Sequence, residues 1–247
     1  MGSIGRAFEI VEVLAEHAPM SLSALARQAG LPLSTVHRLV GTLVSLGYVR
    51  ADAEKRYALA PRMIHLGERS GRMVSHWAIP YLARLVDELG ETANLAQLDG
   101  DRVVYVAQVP SRHSMRMFTE VGRRVHPHCT AVGKALLARL PEASVDALVG
   151  RAGLPAHTSH TITSVARLQD ELRSIRDAGY AVDDEEQELG VRCVAVALDD
   201  GTLPLALSVS GPVPRMTSDL VDRAVPALQA IAAEFAADLA APDRPKR

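Results

Sequence analysis

Three histidines and a cysteine lie close together in the sequence, as His113 and then His126-Pro127-His128-Cys129. Imidazole nitrogen and cysteine sulfur are the commonest zinc ligands, so these side chains have the right chemistry for a metal site. Structural zinc sites, however, place their ligands in pairs a few residues apart, whereas His128 and Cys129 are adjacent and point in different directions. A loop that leads into a helix is the favoured interpretation, and we predict no metal and no other cofactor.

Cys129 and Cys193 are the two cysteines of the chain. Two thiols can exchange protons with a substrate, and one thiol beside a histidine can act as a nucleophile. Free cysteines are more often small buried residues, so we predict no catalytic residue. Two cysteines are also too few for the disulfide framework of a secreted protein, which favours a reducing cytoplasm.

Gly133-Lys134 invites comparison with a phosphate-binding loop, and the run Asp183–Glu188 with a calcium-binding loop. A phosphate-binding loop needs glycine where this chain has His128, and serine or threonine where it has Ala135. The acidic run lacks the glycine and the ligand spacing of an EF-hand. We therefore expect no nucleotide hydrolysis, and a solvated turn with one inward carboxylate in the acidic run.

A further set of polar residues shares one face of a helix predicted over Leu33–Leu46. Apolar residues recur there at helical spacing and predict a buried stripe of Val36, Leu39, Val40, Leu43 and Val44. The outward face then carries Ser34, Thr35, His37, Arg38 and Thr42. A shorter helix, Leu22–Ala29, precedes it, capped by Ser21 and separated by the turn Gly30-Leu31-Pro32. This order is typical of a helix-turn-helix, whose second helix enters the major groove of DNA.

A β-hairpin is predicted directly after that helix. Tyr48–Arg50 and Arg56–Leu59 flank the polar turn Ala51–Lys55, as in the wing of a winged helix. An ordinary three-helix bundle with a solvated charged face is the alternative, and the hairpin counts against it. The predicted contacts to base edges and phosphates are Ser34, Thr35, His37 and Arg38 on the helix, with Arg50, Lys55 and Arg56 on the hairpin.

The remainder of the chain mixes helices with strands. Helices are predicted at Gly5–His17, Pro61–Ser75, Ala78–Leu89, Thr130–Leu140, Pro141–Val149, Ser164–Ala178 and Ser218–Ala240. Strands are predicted at Ala93–Leu98, Val103–Val109, Met115–Val121, Tyr180–Val182, Arg192–Leu198 and Leu203–Ser210, with hairpin turns at Asp99–Asp101 and Asp199–Thr202. The mixture predicts an α+β fold with an antiparallel sheet and flanking helices.

Length and charge suggest two domains with different partners. The chain has 247 residues and a net charge of −2, but residues 1–67 hold 7 Lys and Arg against 5 Asp and Glu, so that part is positive. Positive charge favours a phosphate-bearing partner. We predict a DNA-binding domain over 1–60, a linker helix over 61–77, a second domain over 78–241 and a mobile tail over 242–247.

The sequence shows no signal peptide, lipidation motif or membrane span, so we expect no membrane partner.

Five segments together resemble the IclR family of bacterial regulators along nearly the whole chain. They are Ser21–Tyr48, Thr130–Ala138, Gly179–Glu186, Gly190–Ala195 and Ser208–Pro212. The resemblance implies a winged helix-turn-helix, a linker helix and a GAF-like effector-binding domain. It also implies a homodimer or homotetramer that binds double-stranded, palindromic operator DNA and responds to a small metabolite. We predict a repressor; a cysteine-dependent or metal-dependent enzyme that carries a DNA-binding domain is the alternative.

The resemblance also implies where the effector binds. The matching positions here are Met117, Cys129, Thr130, Ala131, Val132, Asp183, Cys193, Ser208 and Ser210. A helix that begins at Thr130 presents unpaired backbone N–H groups, which favour a carboxylate. We therefore predict a 2-oxo acid, glyoxylate or a ureide-like acid as effector. Some relatives carry Gly-Ala in place of Ala131-Val132, which alters the shape of the space and leaves the identity of the acid open.

Overall fold

The computed structural model describes residues 2–117, 119–198 and 203–240, apart from the side chains of residues 68–76. Phe118, the predicted turn Asp199–Thr202 and the predicted tail 242–247 lie outside the described residues. The chain divides into two compact units, Met1–Arg72 and Met73–Arg247.

The first unit is a small helical domain with a short sheet. Its elements are α1 (Ser3–His17), β1 (Met20–Ser21), α2 (Leu22–Gln28), α3 (Leu33–Ser45), β2 (Val49–Ala51) and β3 (Arg56–Leu59). The strands pair antiparallel in the order β1-β3-β2, so the predicted hairpin is confirmed and β1 is an addition to it. Ser21 caps α2 as predicted, because its hydroxyl accepts the Ala24 N–H at 3.3 Å.

The helix α4 (Arg62–Leu89) is continuous, whereas two helices, Pro61–Ser75 and Ala78–Leu89, were predicted here. That division was wrong. No glycine or proline separates Ser75 from Ala78, so nothing ends the helix there. Pro80 lies inside α4. The boundary between the two units, after Arg72, falls within this helix, and the linker range 61–77 stays a prediction.

The second unit is built on an antiparallel sheet with helices on both faces. Its strands are β4 (Thr92–Asp99), β5 (Arg102–Val109), β6 (Arg124–Val125), β7 (Ala181–Asp184), β8 (Val191–Ala197) and β9 (Leu205–Pro212), in the order β6-β5-β4-β9-β8-β7. Its later helices are α5 (Ala131–Ala138), α6 (Glu142–Ala152), α7 (Val165–Ala178) and α8 (Ser218–Ala240). The α+β prediction is confirmed.

Alternation along the strands creates two cores. Leu95, Val194 and Val196 face one core, which the end of α4 and α8 cover. Ala96 and Ala195 face the other, which α5, α6 and α7 cover. Successive side chains of a strand point to opposite faces, so one run of apolar residues supplies both cores. The small residues on the second face let α5 pack closely on β7, β8 and β9.

Two smaller predictions were wrong. No strand forms in the described part of Met115–Val121. The backbone there bonds to side chains instead: the Thr92 hydroxyl donates to the Met117 carbonyl at 3.0 Å, and Arg215 donates to the Met115 carbonyl at 3.0 Å. Val44, placed in the buried stripe of α3, is 38% exposed because it lies near the end of the helix, beyond the core of the first unit. Among the described residues, no helix is long and apolar enough to cross a membrane.

Candidate functional site

The helix α3 is fixed by its buried stripe and leaves its other face open. Val36, Leu39 and Val40 are buried in a core shared with α1 and α2. Gly30, at φ +62°, makes the turn before α3, a backbone conformation that favours glycine. Of the four residues predicted to read DNA, Ser34, His37 and Arg38 are exposed and Thr35 is half-buried. The helix therefore presents a short polar surface with one guanidinium.

The hairpin β2–β3 carries one arginine that pairs with carboxylates and two basic side chains that do not. Asp52 accepts the backbone N–H of Arg56 at 2.8 Å and its guanidinium at 2.9 Å, and Glu54 binds the same guanidinium at 3.3 Å. The backbone hydrogen bond from Arg56 is the main cause that lowers the pKa of Asp52. Arg50 and Lys55 are exposed, and no carboxylate pairs with either in the described part of the chain. Of the three predicted phosphate contacts, these two are the cations left free.

Arg62 supports the hairpin in a way that sequence reasoning missed. Its guanidinium lies 4.9 Å from the centroid of the Tyr48 ring and donates to the Leu46 carbonyl at 3.0 Å. A cation over an aromatic face is attracted to it, so this contact fixes the chain between α3 and β2. A basic residue directly after Pro61 was the available signal.

A small, partly open cavity lies in the second unit, between the sheet and the start of α5. Its volume is about 30 Å³. It is lined by Tyr105, Met117, Thr119, Arg123, Val125, Thr130, Asp183, Gln187, Glu188, Val191, Cys193 and Ser210, and we call it the Asp183 cavity. Polar side chains thus converge on it from four strands, two loops and a helix cap.

Five of the nine predicted effector residues line the Asp183 cavity: Met117, Thr130, Asp183, Cys193 and Ser210. The other four are buried outside its lining. Ala131 and Val132 pack into the apolar core with α7. The Cys129 thiol donates to the Gln187 side chain at 3.0 Å, and the Ser208 hydroxyl bonds to the Asn94 amide at 3.4 Å.

Asp183 is the buried carboxyl of the cavity, with 3% of its surface exposed. One of its oxygens accepts the backbone N–H of Glu186 at 2.8 Å and that of Gln187 at 3.4 Å. Burial nevertheless raises the pKa of Asp183 to about 7, because the charged form is poorly solvated there. Near neutral pH this side chain can therefore accept or donate a hydrogen bond.

Both cysteines are unsuited to nucleophilic chemistry. Burial raises the pKa of Cys129 to about 12, and nearby Asp183 raises it further in the same direction. Burial likewise raises the pKa of Cys193. The thiolate is the reactive form, and at neutral pH neither side chain populates it. Cys129 is buried and Cys193 half-buried.

The start of α5 is fixed by a cap and a close backbone contact. Thr130 caps the helix, as predicted, by accepting the Gly133 N–H at 3.2 Å. A side chain at Gly133 would meet the backbone of Pro127, with an added Cβ only 2.2 Å from its carbonyl oxygen. Lys134 is buried to 1% exposure and binds Glu171 at 2.8 Å and also Glu186. Gly133 and Lys134 thus stabilise the start of α5.

His126 and His128, which precede α5, form an aromatic cluster with His157. The ring centroids of His126 and His128 are 5.6 Å apart, and those of His126 and His157 5.2 Å. Burial lowers the pKa of His128 to about 4, so it is neutral. His113 lies elsewhere, beside Gly90. No group of three or more histidine, cysteine or carboxylate side chains is arranged to hold a metal ion within the described residues.

The chain combines a winged helix-turn-helix with a second domain that holds a small polar cavity, and known proteins share this combination of domains. Residues 3–53 match the family model of the IclR helix-turn-helix domain. Residues 70–237 match that of the bacterial transcriptional regulator IclR C-terminal domain. The chain belongs to the IclR family. It is a transcriptional regulator that binds DNA through its helix-turn-helix domain.

Individual members of the IclR family support the assignment. The chain is 38% identical to the transcriptional repressor IclR of Escherichia coli (strain K12) over 227 residues, which cover 89% of this chain and 83% of the relative. A putative IclR regulator from Silicibacter sp. TM1040 has a similar solved structure, with a TM-score of 0.86, 27% identity and coverage of 99% and 98%. An IclR homolog from Microbacterium hydrocarbonoxydans, solved in complex with 4-hydroxybenzoate, shares the fold at 23% identity, with a TM-score of 0.76 and coverage of 96% and 99%.

Proposed function

We propose that this regulator is a repressor that binds a palindromic operator as a homodimer or homotetramer and changes its DNA affinity when a small carboxylate metabolite occupies the Asp183 cavity. A 2-oxo acid, glyoxylate or a ureide-like acid is the class of effector. The single observation that carries the effector part is the convergence of polar side chains on one small cavity in the second unit.

Two larger grooves on the second unit are weaker candidates for the effector. They measure about 300 and 470 Å³ and share Gly179 and Ala197. Alanine side chains dominate the larger one. Arg139, Arg176 and Tyr180 line the smaller one, where the Arg176 guanidinium already donates to the Ala138 and Leu140 carbonyls. Small-molecule sites combine an apolar wall with a few well-placed polar groups, and the Asp183 cavity fits that description better.

The Asp183 cavity must expand to admit an acid. Its volume of about 30 Å³ has room for about two water molecules. Glyoxylate and pyruvate are both larger than that. Effector binding therefore moves part of the lining, and a ligand that binds the expanded form better shifts the protein towards it. In the proposed mechanism, this expansion is what changes the DNA affinity when the effector binds.

Exposed apolar side chains on α1 support self-association. Ile4 is 76% and Phe8 61% exposed, and they lie one helical turn apart. Apolar side chains of this size on one helical face favour contact with a second protein surface. A dimer would place two copies of α3 on half-sites about one helical turn of DNA, roughly 34 Å, apart.

The direct test is binding of the purified protein to the DNA upstream of its own gene, measured by mobility shift at moderate salt with nonspecific competitor. Glyoxylate, pyruvate and a ureide acid are then added separately. We expect a specific complex whose affinity changes at least tenfold with one of the acids. A folded protein that gives no specific complex with this DNA or with a wider set of promoter fragments would contradict the proposal.

A further inference from the structure

We propose that Arg123 is the side chain that binds the acid group of the effector, so that the Asp183 cavity selects anions over neutral molecules of the same shape. This inference rests on the function proposed above. Neither sequence patterns nor the resemblance pointed to Arg123.

The backbone holds Arg123 firmly at the cavity. It lies directly before β6 and lines the cavity. Its N–H donates to the Glu120 carbonyl at 3.0 Å, and its carbonyl accepts the Tyr105 N–H at 3.2 Å. Gly122, at φ +92°, donates to the Tyr105 carbonyl at 2.7 Å and completes the turn. The guanidinium therefore starts from a fixed point on the cavity wall.

The guanidinium of Arg123 has no carboxylate partner among residues 2–117, 119–198 and 203–240. Other arginines near the sheet are paired: Arg124 with Asp99 at 2.6 Å, Arg192 with Asp184 at 2.7 Å, and Arg215 with Glu91. Arg123 is also exposed, so the side chain is free to turn towards a ligand. A positive charge that lines a cavity and is not neutralised by the protein is available to an anion.

The charge of the lining makes Arg123 necessary for an acid. Asp183 and Glu188 line the same cavity, and Arg123 is the lining residue of opposite sign. Lys134 is nearby but already binds Glu171 and Glu186. The Lys134 charge is therefore already neutralised, and without Arg123 the ionisable carboxyl groups of Asp183 and Glu188 would have no cation beside them in the lining.

Arg123 lines the same cavity as Tyr105. Its charge opposes the burial that raises the pKa of Tyr105, a side chain that is 9% exposed and lines the same cavity. A guanidinium binds a carboxylate through two parallel hydrogen bonds, which gives both affinity and orientation. Held in this way, the remainder of a small acid reaches Asp183, Cys193 and Ser210.

The test compares substitutions at Arg123 with a substitution at its neighbour Arg124. Replacing Arg124 removes the same charge one residue away, but the Arg124 guanidinium already pairs with Asp99. The affinities of glyoxylate, pyruvate, lactate and allantoate, and of the corresponding neutral amides, are measured by calorimetry on the full chain. Arg123→Gln, Arg123→Lys and Arg124→Gln are compared with the wild type. Melting temperatures of the ligand-free proteins identify any variant that fails to fold.

We expect the wild type to bind at least one acid at least tenfold more tightly than its amide. Arg123→Gln should lose that preference, Arg123→Lys should keep part of it, and Arg124→Gln should stay within threefold of the wild type. Acid binding that survives Arg123→Gln would overturn the role of Arg123 and leave the effector site standing. A wild type that binds none of the acids, or binds only the amides, would overturn both the role of Arg123 and the acidic nature of the effector.

Discussion

Asp183 and Cys193 are cross-strand partners, opposite each other where β7 and β8 pair antiparallel. Directly opposed residues of an antiparallel pair point to the same face, and both side chains line the Asp183 cavity. The charge of Asp183 adds to burial in raising the pKa of Cys193. The pair therefore favours the form in which both groups carry their protons, and this couples the chemistry of the cavity to pH.

Replacing Asp183 with Asn should flatten the pH dependence of stability. The pKa of Asp183 rises from 3.8 in the unfolded chain to about 7 in the fold, so the folded state binds more protons between those values and stability falls as pH rises through them. At about 1.4 kcal/mol per pKa unit, the wild type should lose roughly 2–3 kcal/mol relative to Asp183→Asn between pH 5 and pH 8. Urea unfolding at both pH values measures the difference. The exposed Asp177→Asn is the control, and identical pH profiles for Asp183→Asn and wild type would contradict the prediction.

Removing Lys134 should leave a buried carboxylate without its partner. Lys134→Ala deprives Glu186 and Glu171 of their cation, and loss of one partner of a buried ion pair costs about 3–5 kcal/mol. Arg173→Ala, which breaks an exposed pair with Asp170, should cost under about 1 kcal/mol. Chemical denaturation measures both. The double variant Lys134→Met with Glu186→Gln should recover much of the lost unfolding free energy. If Lys134→Ala costs no more than Arg173→Ala, the Lys134 charge is not effectively buried and the prediction is contradicted.

Adding a methyl group at Gly133 should disrupt the start of α5. A Cβ there would lie 2.2–2.6 Å from backbone atoms of Pro127, which cannot move aside cheaply. We expect Gly133→Ala to cost about 3 kcal/mol, the upper part of the usual range for overpacking. Gly150, within α6, has nothing near its added Cβ, so Gly150→Ala should stabilise by about 0.5–1 kcal/mol. Thermal unfolding of the pair tests the prediction, which fails if both substitutions shift the melting temperature in the same direction.

Of the predicted DNA contacts on α3, Arg38 is the one whose replacement should reduce DNA affinity most. It is exposed beside Ser34 and His37 and is the arginine of that face. A good contact from arginine to a base edge contributes about 1–3 kcal/mol, so Arg38→Ala should weaken specific binding by about 10-fold or more. Fluorescence anisotropy with the upstream DNA measures this. Arg151→Ala, an exposed arginine of the second unit, is the control; equal affinities for all three proteins would remove Arg38 from the reading surface.

Local signals explain why much of the fold was predictable. The stripe of Val36, Leu39 and Val40 fixed α3, and the turn around Gly100 fixed the hairpin β4–β5, which the register confirms with Asp99 opposite Arg102. Each of these signals lies within a few neighbouring residues. Met115–Val121 failed as a strand because its backbone partners, Thr92 and Arg215, are distant in sequence.

The Asp183 cavity was only partly predictable for the same reason. Asp183 and Thr130 lie in segments that resemble the family, but Tyr105, Arg123 and Gln187 reach the cavity from separate elements. No spacing in the sequence relates them. The buried position of Lys134 did have a signal, because it follows Ala131 and precedes Ala138 on one helical face that is otherwise apolar.

The most direct test of the account is the response of the protein–DNA complex to an effector when Asp183 is changed. Anisotropy of labelled upstream DNA is recorded for wild type and Asp183→Ala while each acid of the set is added. We predict that both proteins bind the DNA with similar affinity, that one acid changes the wild-type affinity at least tenfold, and that Asp183→Ala does not respond. A variant that responds to the same acid at the same concentrations as the wild type would contradict the assignment of the effector to this cavity.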